Sequence, residues 1–224
     1  MSYIAVIPVK HSSERVHAKN FREFSDGKSI LDIKIDQLKD SKKFEQIFVS
    51  SDSPDAAMAC ESHGVEFLPR DIKFCDNVAP WSDVIHAVVK SLPVCDKTHV
   101  AWCHTVTPIF NRFGEAIDLY EESIQSGSFN GLVAVSQCNE FILDEVATPV
   151  NYSWGPWHRY SQHLKKYYFV SGALFLATKA EMIHNRYVIS TMPKLFVATS
   201  QESIDIDTEF DFEFAQYTYS KINR

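Results

Sequence analysis

Short apolar runs recur along this chain at spacings that leave room for a helix between them. The first is Tyr3-Ile4-Ala5-Val6-Ile7-Pro8-Val9, rich in β-branched residues. A run apolar on both faces predicts a strand buried on both sides, at the centre of a parallel sheet. Pro8 has no N–H for the ladder, so the strand is expected to end there. Residues 29–38 then place Ile30, Leu31, Ile33, Ile35 and Leu38 on a helical face. Residues 46–52 predict a second strand ending in a polar cluster, and 65–68 a third. Between them 54–63 predicts a short helix, with Pro54 in its first turn and Gly64 just past its end. A helix over 81–92, burying Val84, Ile85, Val88 and Val89, precedes a strand over 99–104. A longer helix over 113–125 precedes a strand over 132–135. Strands alternating with helices predict βαβ units and a parallel sheet covered on both faces.

The pattern then changes. Residues 141–160 hold several aromatics, Trp154 and Trp157 among them, without a clear period. Three readings are open for this stretch: a cover over a substrate, a contact between subunits, or a β-hairpin. Burial in a core is the commoner fate of Trp. Residues 167–177 predict a strong strand, followed by a short helix around Glu181 and a strand at 195–197. The chain closes with Ser203-Ile204-Asp205-Ile206-Asp207-Thr208 and a helix from 209 to about 222.

At 224 residues and 45% hydrophobic, the chain can bury a sizeable core. With no repeat, low-complexity tract or Pro/Gly-rich linker, it is read as one domain over 1–224, with 138–165 as a dimerisation or acceptor segment. The net charge of −7 argues against nucleic acid as a partner. No apolar run is long enough to span a bilayer, and a strand pattern stands where a signal peptide would, so a cytoplasmic, membrane-free protein is expected. Five scattered cysteines without a CxxC pair fit reduced thiols better than disulfides or zinc ligands.

Against that acidic background the loop after the first strand stands out. It carries three cations (Lys10, Arg15, Lys19), two hydroxyls (Ser12, Ser13) and the amide of Asn20. Ligands of open α/β sheets bind beyond the carboxyl ends of the strands. Charge, hydroxyls and backbone N–H groups at that point suit a polyphosphate. A solvated basic loop is the alternative.

Asp205 and Asp207 are separated by one residue, which on an extended segment puts both carboxylates on one face. Ile204 and Ile206 then point the other way, into the core. Two carboxylates on one face repel unless a cation sits between them, and Mg²⁺ is commonly held by such oxygens together with substrate phosphates. Thr208 fits a helix N-cap, with Asp211 at N3 able to reach back. The alternative is a pair of solvated carboxylates at the end of an edge strand.

Taken in order, these motifs resemble the acylneuraminate cytidylyltransferase family. Ile7-Pro8-Val9-Lys10…Ser13-Glu14-Arg15…Lys19-Asn20 resembles its I-P-A-R-x-G-S-K-R-x-x-x-K-N opening. Ser203-Ile204-Asp205-Ile206-Asp207-Thr208…Asp211-Phe212 resembles its closing I-D-I-D-T-x-x-D-F. Val49-Ser50-Ser51-Asp52, Asp83-Val84-Ile85, Thr107-Pro108 and Gly172-Ala173 resemble intervening family motifs, so the likeness spans nearly the whole chain.

The resemblance implies an α/β three-layer sandwich with a mainly parallel, Rossmann-like mixed sheet, of the nucleotide-diphospho-sugar transferase type. It implies transfer from CTP to an acidic sugar, with release of pyrophosphate, in cell-surface polysaccharide biosynthesis. On it Lys10, Ser13, Arg15, Lys19 and Asn20 hold the nucleotide, joined by Arg70 and His104, and Lys10, Arg15 and Lys19 act on the reacting phosphate. Asp205 and Asp207 would hold Mg²⁺, while His104, Arg159, Tyr168 and Phe169 would face the acceptor. A homodimer is implied, with one subunit's segment reaching the other's acceptor site.

The departures from the family lie mostly on the acceptor side. Lys10 replaces an Arg, which turns a bidentate fork into a point charge. Ser12 replaces a Gly, Glu14 a Lys and His104 a Gln, while Phe169-Val170 replaces Arg-Glu. An apolar pair cannot neutralise a sugar carboxylate; His158, Arg159, Lys165 and Lys166 are the cations within reach, with Arg159 preferred. Other readings are a 3-deoxy-manno-octulosonate cytidylyltransferase, against which Asn20 stands, or a transferase to a non-sugar acid or phosphonate. A glycosyltransferase with a metal-binding Asp-x-Asp and a non-catalytic nucleotide binder complete the alternatives.

Overall fold

The computed structural model of the chain describes residues 1–13, 15–76 and 78–222. The elements follow the expected alternation. β1 (Tyr3–Pro8) leads through α1 (Ile30–Asp40) to β4 (Gln46–Ser51), and α2 (Pro54–His63) leads on to β5 (Glu66–Pro69). Then come α3 (Trp81–Ser91), β6 (His99–Trp102), α4 (Phe113–Gln125) and β7 (Gly131–Cys138). β8 (Tyr167–Thr178), α5 (Lys179–Asn185), β9 (Pro193–Ala198) and α6 (Glu209–Ile222) complete the chain. A two-strand hairpin, β2 (Glu23–Ser25) and β3 (Lys28–Ser29), was not foreseen. Its signal was present: Asp26 and Gly27 take φ of 52° and 76°, as a tight Asp-Gly hairpin turn requires.

Helix ends are set by short-range chemistry. Ser29 and Asp32 form a full capping box at the start of α1. Ser53 caps α2 ahead of Pro54, and Gly64 ends it in the left-handed region at φ 64°. At α6, Asp211 accepts from Thr208 N at 2.7 Å while Thr208 Oγ1 accepts from Asp211 N at 3.3 Å, as the sequence predicts.

Seven strands form one sheet in the order β5-β4-β1-β6-β8-β7-β9. β1 pairs in parallel with β4 and β6, β4 with β5, and β7 with β9; β8 runs antiparallel to the rest, between β6 and β7. One face carries Ala5, Ile7, Val49 and Ala101 under α1, α2 and α4. The other carries Ile4, Val6, Val100 and Trp102 under α3 and α5. The α/β three-layer arrangement with a mostly parallel sheet is therefore as expected. A third apolar cluster joins Phe24 of the hairpin to Phe212 and Ala215 of α6 and to Ile206. It packs the two ends of the sequence together. Among the described residues, no helix is long and apolar enough to cross a membrane.

Candidate active site

The strand order reverses at β1: the chain first winds outward through β4 and β5, then returns to the other side of β1 at β6. Such a reversal opens a crevice at the carboxyl ends of the two strands, where open α/β sheets bind ligands. A cavity of about 450 Å³ lies there, lined by Lys10, Arg15, Lys19 and Asn20 from the loop after β1, by Arg70 after β5, and by His104 after β6. Ser13 is half-buried on the same loop but is not among the lining residues. Glu14 lies outside the described residues.

Contacts between distant parts of the sequence hold this cleft. Arg15 donates to Asp207 Oδ1 at 2.6 Å, and Lys19 Nζ donates to the Ile206 carbonyl at 2.7 Å. Ile206 N in turn donates to the Val106 carbonyl at 2.9 Å, so the acidic segment runs beside the loop that follows β6. Arg22 forks onto Glu209 at 3.1 and 2.6 Å, with its guanidinium 3.7 Å above the Phe212 ring. These bonds bring Asp205 and Asp207 to the same end of the sheet as the basic loop.

Other side chains brace the walls. Asn20 Oδ1 accepts from Thr105 Oγ1 at 2.7 Å and its Nδ2 donates to the Lys10 carbonyl at 3.4 Å, so the Asn20 amide is occupied in shaping the loop. Arg70 donates to Cys75 Sγ at 3.1 Å and to the Val9 carbonyl. Asp52 Oδ1 accepts from His11 N at 2.9 Å, tying the loop to the end of β4. Gly172 lets β8 lie against the loop after β6: a Cβ there would stand 3.3 Å from Val106 Cγ2 and 3.6 Å from His104 Cβ. Asp83, in contrast, is not among the lining residues: it pairs with Arg186 and ties α3 to the end of α5.

Charge inside the cleft is partly desolvated. Burial lowers the Lys19 pKa, against the pull of Asp207 and Asp205. Asp205 keeps one side open to solvent, yet crowding by protein, and then the neighbouring Asp207, push its carboxyl up to about 6. A carboxyl held up by its neighbour is one that a cation would return to its charged form. Among the described residues no group of three or more His, Cys, Asp or Glu side chains could enclose a metal ion. Two carboxylates alone do not enclose a cation, but oxygens of this kind are ones that Mg²⁺ accepts.

The acceptor-side expectations divide. His104 lies in the cleft. Tyr168 is half-buried against the apolar cluster beneath α3 and α5, and Phe169 is 59% exposed. Arg159 does not line this cleft within one chain: it lines a separate depression of about 530 Å³ with His158, His163 and Lys165. Those residues belong to the arm over 139–166, which leaves the sheet from the ends of β7 and β8. The arm projects because both strands run past β6: β7 and β8 stay paired from Val135–Val170 to Cys138–Tyr167, beyond the last β6 pair at Trp102–Phe175.

Sequence reading missed several lining and supporting residues. Phe74, Cys75, Asp76, Trp81 and Thr105 line the cleft. Lys34 is fully buried beneath it, donating to the Thr107 and Phe110 carbonyls at 3.0 and 3.3 Å. Its signal was a lone cation between Ile33 and Ile35, on the apolar side of a helix.

A basic cleft at the switch point of a seven-stranded α/β sheet, with two carboxylates beside it, is suited to a phosphorylated ligand. A family model described as cytidylyltransferase matches residues 4–93. The chain is similar to the N-acylneuraminate cytidylyltransferase of Escherichia coli, at 25% identity over 99% of this chain and 53% of that protein. It thus spans about half the length of that relative. It is also 25% identical to the pseudaminic acid cytidylyltransferase of Campylobacter jejuni, over 100% of this chain and 98% of that one. Among solved structures, CMP:2-keto-3-deoxy-manno-octonic acid synthetase complexed with CTP shares the fold at a TM-score of 0.68 and 11% identity, covering 99% of this chain and 100% of that one. The 2-C-methyl-D-erythritol 4-phosphate cytidylyltransferase of Francisella tularensis does so at 0.66 and 14%, covering 97% and 100%. The chain is thus similar to cytidylyltransferases, by the family model over residues 4–93 and by these relatives over its whole length.

Proposed function

We propose that the chain transfers the CMP group of CTP to a hydroxyl of an acidic sugar of the nonulosonic class. The observation that carries this reading is the convergence of Lys10, Arg15, Lys19 and Arg70 on one cavity at the switch point, beside Asp205 and Asp207. The acceptor oxygen forms a bond to the α-phosphorus, and the bond from that phosphorus to the bridging oxygen breaks. Pyrophosphate leaves and the acceptor's proton passes to solvent. Little covalent work falls to the protein, so positioning and charge neutralisation carry the rate.

Lys10, Arg15 and Lys19 are assigned to the phosphates, where fixed cations favour the charge that builds on the transferring group. Lys19, already drawn toward the acidic segment by its bond to Ile206, would link the phosphates to that segment. Mg²⁺ held by Asp205 and Asp207 would supply further neutralisation. We also assign a homodimer, formed through the arm, and a role in supplying activated sugars for cell-surface polysaccharide. The test is pyrophosphate release from CTP and Mg²⁺ against a panel of acidic sugars and phosphonates. Release with an acidic nonulosonic sugar is expected; silence across the panel overturns the reading.

A further inference from the structure

Trp102 and His104 stand two residues apart at the end of β6, one beneath the cleft and one in its wall. The Trp102 indole N–H donates to His104 Nε2 at 3.1 Å. An indole N–H can only donate, so Nε2 must offer its lone pair, and the proton of the neutral imidazole belongs on Nδ1. The ring is neutral near pH 7: burial, and then the charges of Lys19, Lys34 and Arg70, push His104 down to about 4.

Packing fixes the ring as well as its proton. Trp81 stacks on it at 5.7 Å between centroids and 28° between planes. Phe175 meets it edge-on at 6.1 Å. The Cδ2 edge faces β8, where a Cβ on Gly172 would lie 3.6 Å away. Nδ1 is on the opposite edge. It has no hydrogen-bond partner among the described residues, and it is not among the buried polar atoms sealed without one. Since His104 lines the cleft, that edge opens to the cavity.

We propose that Trp102 is a positioning residue that locks His104 in its Nδ1–H form, so that the ring offers an uncharged donor to an oxygen of the acidic acceptor. The proposal rests on the cytidylyltransferase reading of the cleft. The cleft already holds several cations, so a further charge would add attraction for any anion without selecting among them. A neutral donor of fixed direction selects the position of one oxygen. The opposite tautomer would turn a lone pair toward that oxygen and reject it. Discrimination by a directed donor is large because a mismatch leaves buried polar groups unpaired.

The test joins a spectroscopic readout to kinetics. In ¹⁵N-histidine-labelled protein, the long-range ¹H–¹⁵N pattern of His104, assigned by its loss in His104→Gln, is expected to show a protonated Nδ1 from pH 6 to 8. Trp102→Phe should release the lock and populate the Nε2–H form. In that variant the KM for the acceptor is expected to rise by about fivefold or more, with the KM for CTP changed less than about twofold. In a His104→Gln background, whose amide has no tautomers, Trp102→Phe should change the acceptor KM by less than about twofold. An Nε2–H pattern in the wild-type protein overturns the proposal whether or not Trp102→Phe folds. A Trp102→Phe enzyme that loses the Nδ1–H form but keeps its acceptor KM overturns it equally. The tautomer is read without turnover, so absence of cytidylyl transfer would defeat the functional reading and leave the lock separately measurable.

Discussion

The cleft and the arm lie at the same end of the sheet, but one is tied by residues far apart in sequence and the other by its own neighbours. Arg15 with Asp207, Lys19 with Ile206 and Arg22 with Glu209 each join the N-terminal loop to the C-terminal segment. In the arm, Ile142 N donates to Asn151 Oδ1 at 2.9 Å, Asn151 Nδ2 donates to the Glu140 carbonyl at 2.7 Å, and Val150 N donates to the Ile142 carbonyl at 2.8 Å. Phe141, Tyr152 and His158 make a small ring cluster of their own. Beyond it Trp157 and Tyr160 are 76% and 77% exposed. The cleft is thus preorganised within one chain, as electrostatic catalysis requires. The arm presents large apolar rings that the described residues leave exposed, the usual mark of an interaction surface.

The sharpest way to break this contrast is to remove an acidic side chain from the cleft. Asp207→Ala is expected to lower pyrophosphate release by roughly a hundredfold or more, because the cation proposed to neutralise transition-state charge would lose one of its two carboxylates. Its partner Arg15 is 67% exposed in the ion pair, so the stability change should stay within about 1 kcal/mol. Turnover kinetics and a melting curve on the same sample check both halves. Retained Mg²⁺-dependent activity would remove Asp207 from the site.

Lys34→Met comes next and probes what lies beneath the cleft. The thioether fills the space but leaves the Thr107 and Phe110 carbonyls without their buried donor. Each unpaired carbonyl costs roughly 1–3 kcal/mol, offset by no longer burying an ammonium. A melting point lower by a few degrees is expected, together with a fall in turnover. The loop that Lys34 holds also carries Val106, which accepts from Ile206 between the two aspartates. An unchanged melting point would mean that the loop holds its shape without the lysine.

How much of this was legible in the sequence follows from the range of the forces involved. The alternation of β1, α1, β4, α2 and β5 could be read because hydrophobic period and helix caps are local. The Asp205-Ile206-Asp207 segment could be read for the same reason: Ile206 is buried and its neighbours turn outward. The antiparallel sense of β8 was not legible, since a run apolar on both faces is the same in either direction. The cleft walls around Cys75 and Trp81 were equally hidden, because only the fold carries them to the end of β1. Arg159 illustrates the converse. Its chemistry was plain, but chain direction in an irregular segment was not, and the arm takes it away from the cleft of its own chain.

The strand that leads out of the arm, β8, offers a smaller test of the other half of the comparison. Phe169 and Val170 are 59% and 57% exposed at the outer end of β8, whose inner part from Ala173 to Ala177 is buried. Burying them against a second copy would remove apolar surface from water at about 25 cal/mol per Å². Light scattering at micromolar concentration is expected to give the mass of a dimer, and Phe169→Glu with Val170→Glu that of a monomer. The double variant should melt within a few degrees of the wild-type monomeric unit, since neither side chain supports the sheet. A monomeric mass for the wild-type protein would leave the exposed rings without the assigned partner.

The smallest expected effect lies in the pH dependence of stability. Asp205 is held up at about 6, above the ordinary carboxylate value near 4, by crowding and then by Asp207. Between those two values the folded chain binds more protons at this site than the unfolded chain does. Stability therefore falls as pH rises from about 4 to about 6, and this contribution is flat outside that window. Asp205→Asn cannot titrate, so the slope it shows across the window should be shallower than that of the wild-type protein. Because the carboxyl keeps one side in solvent, the difference should stay below about 1 kcal/mol. Mg²⁺ with CTP should also flatten the wild-type slope, because a cation between the two carboxylates favours their charged forms. Melting curves at pH 4, 5, 6 and 7, with and without Mg²⁺–CTP, provide the comparison. If Asp205→Asn keeps the full wild-type slope, the proton taken up in this window belongs elsewhere in the chain.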